Sequence, residues 1–168
     1  NCVDVSPDNA RILSGSIDGT WKLWNARTGV ILHTERTNGH KLCCAFSPNG
    51  RLILVGRGNN LMLHDSSTFQ LLHTLTGHNH IVASCSFASD GATILSSSWD
   101  CTMKLWSSTT GQHLRTLAGH SGGVRSCSFS PSGHDIYSVS DDGTLMMWTT
   151  ATGQLDGIID KDDNDPRS

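Results

Sequence analysis

The chain has 168 residues, 36% of them hydrophobic and 6% aromatic, with 17 glycines. Ten Lys/Arg balance ten Asp/Glu across residues 1–155, so the formal net charge of −3 sits in the last thirteen residues, "DGIIDKDDNDPRS". That length suits one ordinary domain; no apolar run reaches transmembrane length, no N-terminal stretch reads as a signal peptide, and the lack of a basic stripe argues against a nucleic-acid footprint.

Read from its start, the chain repeats one unit of short strands. The first copy is "CVDVSPDNARILSGSIDGTWKLW" from Cys2, followed by a short strand "VILHT". The second is "GHKLCCAFSPNGRLILVGRGNNLMLH", Gly39 to His64, followed by "QLLHTL". The third is "GHNHIVASCSFASDGATILSSSWDCTMKLW", Gly77 to Trp106, followed by "QHLRTL". The fourth is "GHSGGVRSCSFSPSGHDIYSVSDDGTLMMW", Gly119 to Trp148, followed by "LDGIID". Two landmarks keep step: Pro7, Pro48, Ser89 and Pro131 are spaced 41, 41 and 42, while Trp24, His64, Trp106 and Trp148 are spaced 40, 42 and 42.

The fourth copy shows the plan of each unit. "VRSCSFS" alternates small and apolar residues, "SPSG" turns, and "HDIYSVS" returns. "DDGT" is a hairpin signal, "LMMWTT" is a third strand, "ATGQ" turns again, and "LDGIID" is a fourth. Third strands such as "WKLW" and "LMMW" are apolar almost throughout, as strands covered on both faces are. Helical periodicity is absent.

A period of 40–45 residues with Gly-His early and Leu-Trp late marks a propeller array, and these copies resemble the WD-repeat family. The resemblance covers residues 2–159. It implies an all-β fold: antiparallel four-stranded blades of a WD-repeat β-propeller, four blades present, at about 1–34, 35–76, 77–118 and 119–159. The acidic stretch 160–168 reads as a disordered tail.

His, Ser, Asp and Trp recur together. The family pattern joins them in a hydrogen-bonded structural tetrad, here His78, Ser96, Asp100 and Trp106 in the third copy and His120, Ser138, Asp142 and Trp148 in the fourth. The first copy has Ser14, Asp18 and Trp24 without a histidine. Ser16, Ser98 and Ser140 are the alternates for the serine. A Ser-His-Asp hydrolase is the competing reading, but it needs an exposed nucleophile and an oxyanion hole, and no G-x-S-x-G elbow occurs; no catalytic residue is expected. The second copy departs from the pattern. His40 is kept, while Gly58 stands for Asp, Leu54 for Ser and His64 for Trp, so this blade should rest on packing alone.

Cys44, Cys85 and Cys127 recur two residues before a Phe, with Cys2 and Cys43 adjacent to that position, and read as buried hydrophobes in a reducing compartment. No C-x₂-C pair suggests zinc. His78-x-His80 with His73 nearby, and Asp160, Asp162, Asp163 and Asp165, are read as loop and solvated residues rather than metal ligands. No metal and no cofactor are expected.

In the family, the narrow face carries the Gly-His loop and the turn after the second strand, and partners bind there. The residue before the tetrad Asp then gives Ile17, Arg57, Trp99 and Asp141. The positions three and five after the His give Ile81 and Ala83, then Gly123 and Arg125, with Leu42 aligned in the second blade. Trp99 stands apart, because the other four tryptophans have places inside the repeat. Trp and Arg dominate binding hot spots; the plainer role for Trp99 is to cover the next loop.

The resemblance therefore implies a non-catalytic scaffold that binds proteins or peptides on the narrow face, inside the cell and most simply in the cytoplasm, with no nucleic acid or membrane partner. The rival reading is a regulatory or sensing segment of a larger signalling ATPase or ubiquitin-ligase receptor. Four blades would leave apolar faces open at both ends of an arc. We expect the C-terminal part of a larger propeller, closed by the remaining blades of a longer chain; a second copy completing an eight-bladed ring, or a tight four-bladed closure, are the other solutions.

Overall fold

A computed structural model describes residues 2–37 and 43–161. Every described element is a strand, and the strands form four antiparallel sheets, each taken in chain order. Blade 1 is β1 (Cys2–Val5), β2 (Arg11–Gly15), β3 (Thr20–Asn25) and β4 (Ile31–Arg36). Blade 2 is β5 (Cys44–Phe46), β6 (Leu52–Arg57), β7 (Asn60–Asp65) and β8 (Leu71–Leu75). Blade 3 is β9 (Val82–Phe87), β10 (Thr93–Ser98), β11 (Thr102–Ser107) and β12 (His113–Ala118). Blade 4 is β13 (Val124–Phe129), β14 (Asp135–Ser140), β15 (Thr144–Thr149) and β16 (Leu155–Lys161). The last strand thus runs two residues past the expected boundary at Ile159, so Asp160 and Lys161 belong to the sheet. The rest of the acidic stretch lies outside the described residues. Among the described residues no helix is long and apolar enough to cross a membrane.

Turn chemistry sets the strand lengths. In the turn after the first strand, the hydroxyls of Ser6, Ser47 and Ser130 each accept the N–H of Arg11, Leu52 and Asp135, which closes the loop on its own second strand. Between third and fourth strands the register shifts just before Trp24, His64, Trp106 and Trp148, a recurring bulge that re-aims this side chain.

The sheets pack face to face in chain order. Leu13, Trp21 and Leu23 of blade 1 meet Cys44, Phe46, Ile53 and Val55 of blade 2. The other face of blade 2, with Leu54, Leu61, Leu63 and Leu75, meets Val82, Cys85, Ile94 and Trp106. Leu95, Met103, Leu105 and Leu117 of blade 3 meet Val124, Cys127, Ile136 and Trp148. Strand alternation explains this use of both faces: successive residues of a third strand point to opposite neighbours. The two outer faces of the array are different. Tyr137 and Val139 stand where Leu95 and Ser97 are buried, and are 37% and 39% exposed. Val3 and Val5, at the opposite end, are 69% and 47% exposed.

Blade 2 corrects two alignments made from sequence. Counting back from His64 places Leu54 at the serine position, but Val55 pairs with Met62 as Ser96 pairs with Lys104. The cause is the β6–β7 hairpin, in which Arg57 pairs with Asn60 across Gly58 and Asn59, one residue shorter than the turns of its sister blades. Arg57 therefore sits in β6 at the position of Ser98, not at that of Trp99.

Candidate functional site

In blade 3 one proton chain links the four recurring residues. The Trp106 indole donates to Ser96 Oγ at 2.9 Å, Ser96 Oγ lies 2.8 Å from His78 Nε2, and His78 Nδ1 lies 2.8 Å from Asp100 Oδ2. The indole can only donate and an ionised carboxylate can only accept. The neutral imidazole therefore donates from Nδ1 and accepts the serine proton at Nε2, leaving every polar atom of the chain satisfied. Blade 4 repeats it: Trp148 to Ser138 at 2.8 Å, Ser138 to His120 at 2.8 Å, and His120 to Asp142 at 2.9 Å.

The aspartates also knit loop to turn. Asp100 Oδ2 accepts Asn79 N–H at 2.9 Å and its Oδ1 accepts the Thr102 hydroxyl at 2.6 Å; Asp142 does the same with Ser121 N–H at 2.8 Å and Thr144 at 2.6 Å. Thr102 and Thr144 were missed from sequence, although Asp-x-Thr recurs at 18–20, 100–102 and 142–144. Ser98 and Ser140, the alternates, lie outside the proton chain: their hydroxyls donate to His80 O and Gly122 O and brace the histidine loop. The glycines before His78 and His120 meet a packing requirement, since a Cβ would come within 3.3 Å of the Trp106 ring at Gly77 and within 2.9 Å of the Trp148 ring at Gly119.

Burial opposes ionisation of Asp100 and Asp142, but the hydrogen bonds from threonine, backbone and histidine outweigh it and hold both carboxyls below their ordinary range. Burial pushes His78 below its ordinary value, with Asp100 opposing. Ser96 and Ser138 are 0% and 2% exposed and already bonded on both sides, so neither is placed to attack a substrate.

Blade 1 keeps part of the pattern: Trp24 donates to Ser14 Oγ at 2.8 Å, and among the described residues Asp18 accepts from its own turn, from the Thr20 hydroxyl and N–H. His40 and Leu42 lie outside the described residues. In blade 2 the buried His64 bonds the Phe69 carbonyl through Nδ1 at 3.2 Å, and its Nε2 has no hydrogen-bond partner among the described residues. Trp21 of blade 1 lies beside it, ring centroids 5.4 Å apart.

The other histidines are each engaged apart. His73 Nε2 bonds Thr109 O across blades, and His80 accepts Ile81 N–H at Nδ1. Cys44, Cys85 and Cys127 are buried free thiols, and burial pushes Cys127 up to about 12.

At the end carrying these loops, three of the expected contact residues converge at the junction of blades 3 and 4. The Trp99 ring packs beside His80, centroid to centroid 5.6 Å, and under the Arg125 guanidinium, 4.6 Å from its centroid. Arg125 Nε donates to Asp141 Oδ1 at 2.6 Å. Ile81 is half-buried beside them and accepts Trp99 N–H. Ile17 is 66% exposed on blade 1 and does not join the cluster. Arg57, displaced into β6, contacts Met62 Sδ instead.

The family model "WD domain, G-beta repeat" matches residues 1–25, 30–65, 69–107 and 111–149. The chain is similar to U3 small nucleolar RNA-associated protein 12 of Saccharomyces cerevisiae, at 34% identity over 62% of this chain and 11% of that protein. It is similar to a guanine nucleotide-binding protein subunit beta of Arabidopsis thaliana, at 31% identity over 64% of this chain and 31% of that protein. Protein SPA1-RELATED 3 of Arabidopsis thaliana is 36% identical over 62% of this chain and 13% of its own length. The chain thus spans from about a tenth to a third of these relatives.

Proposed function

This chain belongs to the WD40 repeat family, and from that premise we propose that it is a non-catalytic scaffold that holds partner proteins or peptides at the end carrying the histidine loops. The observation that supports this most is the cluster of Trp99, Arg125 and Asp141. It crosses a blade junction, keeps both charged side chains nearly half exposed, and has no counterpart among the described residues of the other blades. Aromatic and arginine side chains held in place are the usual anchors of an interface. The tetrads set the loops, and the exposed positions between them do the recognising. An intracellular, most simply cytoplasmic, setting accords with six free cysteines.

The test compares partners captured by the wild-type chain and by Trp99→Ala. Truncation should weaken binding by about 2 kcal/mol or more at a hot spot, with little loss of fold. A variant that unfolds without a separable binding defect would make Trp99 a structural residue.

The open faces at Tyr137/Val139 and at Val3/Val5 favour a second element of the reading. Their equivalents at the inner junctions are covered by the next sheet, so further blades of a longer chain, or a second copy, would cover them here. If those blades belong to a larger signalling ATPase or ubiquitin-ligase receptor, the repeats would restrain sister domains as a regulatory segment. Light scattering separates these outcomes: a clean dimer supports pairing, association or misfolding supports the longer propeller, and a stable monomer contradicts both.

A further inference from the structure

The charged groups at the junction of blades 3 and 4 are of two kinds. Asp100 and Asp142 are spent, each accepting from a histidine, a threonine hydroxyl and backbone N–H groups. Arg125 and Asp141 face solvent, with side chains 47% and 45% exposed. Among the described residues two contacts hold the Arg125 guanidinium: its central carbon sits over the Trp99 ring, and its Nε donates to Asp141. Its terminal nitrogens Nη1 and Nη2 have no hydrogen bond among the described residues. A guanidinium fixed in plane with its outer edge free presents two parallel donors at little further entropic cost.

The backbone beside it is built for close approach. A Cβ at Gly123 would lie 3.3 Å from Trp99 Cα and 3.3 Å from Asp141 Oδ2, and one at Gly122 would lie 2.7 Å from Asp142 N. Larger residues would lift the loop and part Arg125 from the indole. The position equivalent to Arg125 in blade 3 is Ala83, so the repeat itself does not require the arginine.

Two parallel N–H donors match the two oxygens of a carboxylate. Resting on the reading of this end as the recognition surface, we propose that Arg125 receives an Asp or Glu side chain of a partner polypeptide, with an apolar neighbour of that acid packing on Trp99 and Ile81. A basic segment fits less well, because Asp141 has already given Oδ1 to Arg125.

The test selects peptides of about a dozen residues from a random library on the full chain. The best binder is then measured against its acid-to-amide version, on the wild type and on Arg125→Gln. The expected result is an Asp or Glu enriched at one fixed place. Its amide should bind at least about tenfold more weakly to the wild type and within about twofold of the acid on Arg125→Gln. Uncharged or basic binders that are lost on Trp99→Ala overturn the acidic assignment and leave the surface standing. No enrichment, or binders indifferent to both Trp99→Ala and Arg125→Gln, overturn the surface as well. Should Trp99→Ala fail to fold, Trp99→Leu takes its place, since it keeps the apolar cover and removes the ring face.

Discussion

Blade 3 and blade 2 are neighbours built from one repeat, and they are held in different ways. In blade 3 a line of hydrogen bonds runs from Trp106 through Ser96 and His78 to Asp100, pinning the histidine loop to the β10–β11 turn. In blade 2 the equivalent strand positions hold Val55 and His64, and the shortened turn between them is Gly58 and Asn59. Apolar and aromatic volume takes over. Trp21 packs beside His64, and Phe69 stacks on His33 with ring centroids 4.2 Å apart. Phe69 adopts φ +61, where the sister turns use Gly29, Gly111 and Gly153, and a left-handed non-glycine residue costs about 1–2 kcal/mol. Both sheets nevertheless keep the same strand order and the same bulge. The network is therefore not what makes a blade; it fixes the loops at one end of it.

The largest expected effect contrasts the two corners directly. Trp106→Ala removes a fully buried indole and should cost about 3–5 kcal/mol, while His64→Ala, a smaller ring, should cost about 2 kcal/mol, both read from denaturant midpoints. Asp142→Ala should cost about 2–4 kcal/mol because it strands buried donors. Gly58→Ala, at φ +57 with open space around its Cβ, should cost only about 1 kcal/mol. Equal losses at these two positions would break the comparison. Restoring the indole with His64→Trp should destabilise by about 1–3 kcal/mol, since Trp21 already fills the space, and Trp21→Leu should relieve part of that loss.

Acid sharpens the contrast. His78 is depressed in the folded state, so the unfolded chain binds its proton first. Stability should therefore fall as pH drops below about 6.5 and level off beneath the folded value. Asp100 and Asp142, also depressed, should add a second fall below about pH 4. The Tm of His78→Gln against pH should show a shallower first slope, the remainder coming from His113, which burial also depresses. Smallest of all, Arg125→Gln should leave the denaturant midpoint unchanged, because both partners of its ion pair face water.

Most of the fold was legible because strand, turn and indole recur at a fixed period, and the Asp-x-Thr turns and Gly-His loops carry their own chemistry. Blade 2 misled the count because a one-residue deletion in a hairpin leaves no mark in composition or alternation, so Leu54 and Arg57 were placed one step off. Trp99 drew attention by lying outside the repeat. Its partner Arg125 was named only by position, since the stacking of one on the other depends on how closely Gly123 lets two blades approach. The strand at Asp160 and Lys161 was hidden by its charge; its ladder with Thr144 and Leu145 is a backbone property.

The central claim is that the recurring His and Asp act as one unit that joins loop to turn. A double-mutant cycle on His78→Ala and Asp100→Ala, read from denaturant unfolding, tests it most directly. The account predicts a coupling of at least about 1 kcal/mol, because either truncation alone already breaks the proton chain. Losses that add to within about 0.3–0.5 kcal/mol would show two independent residues and contradict it.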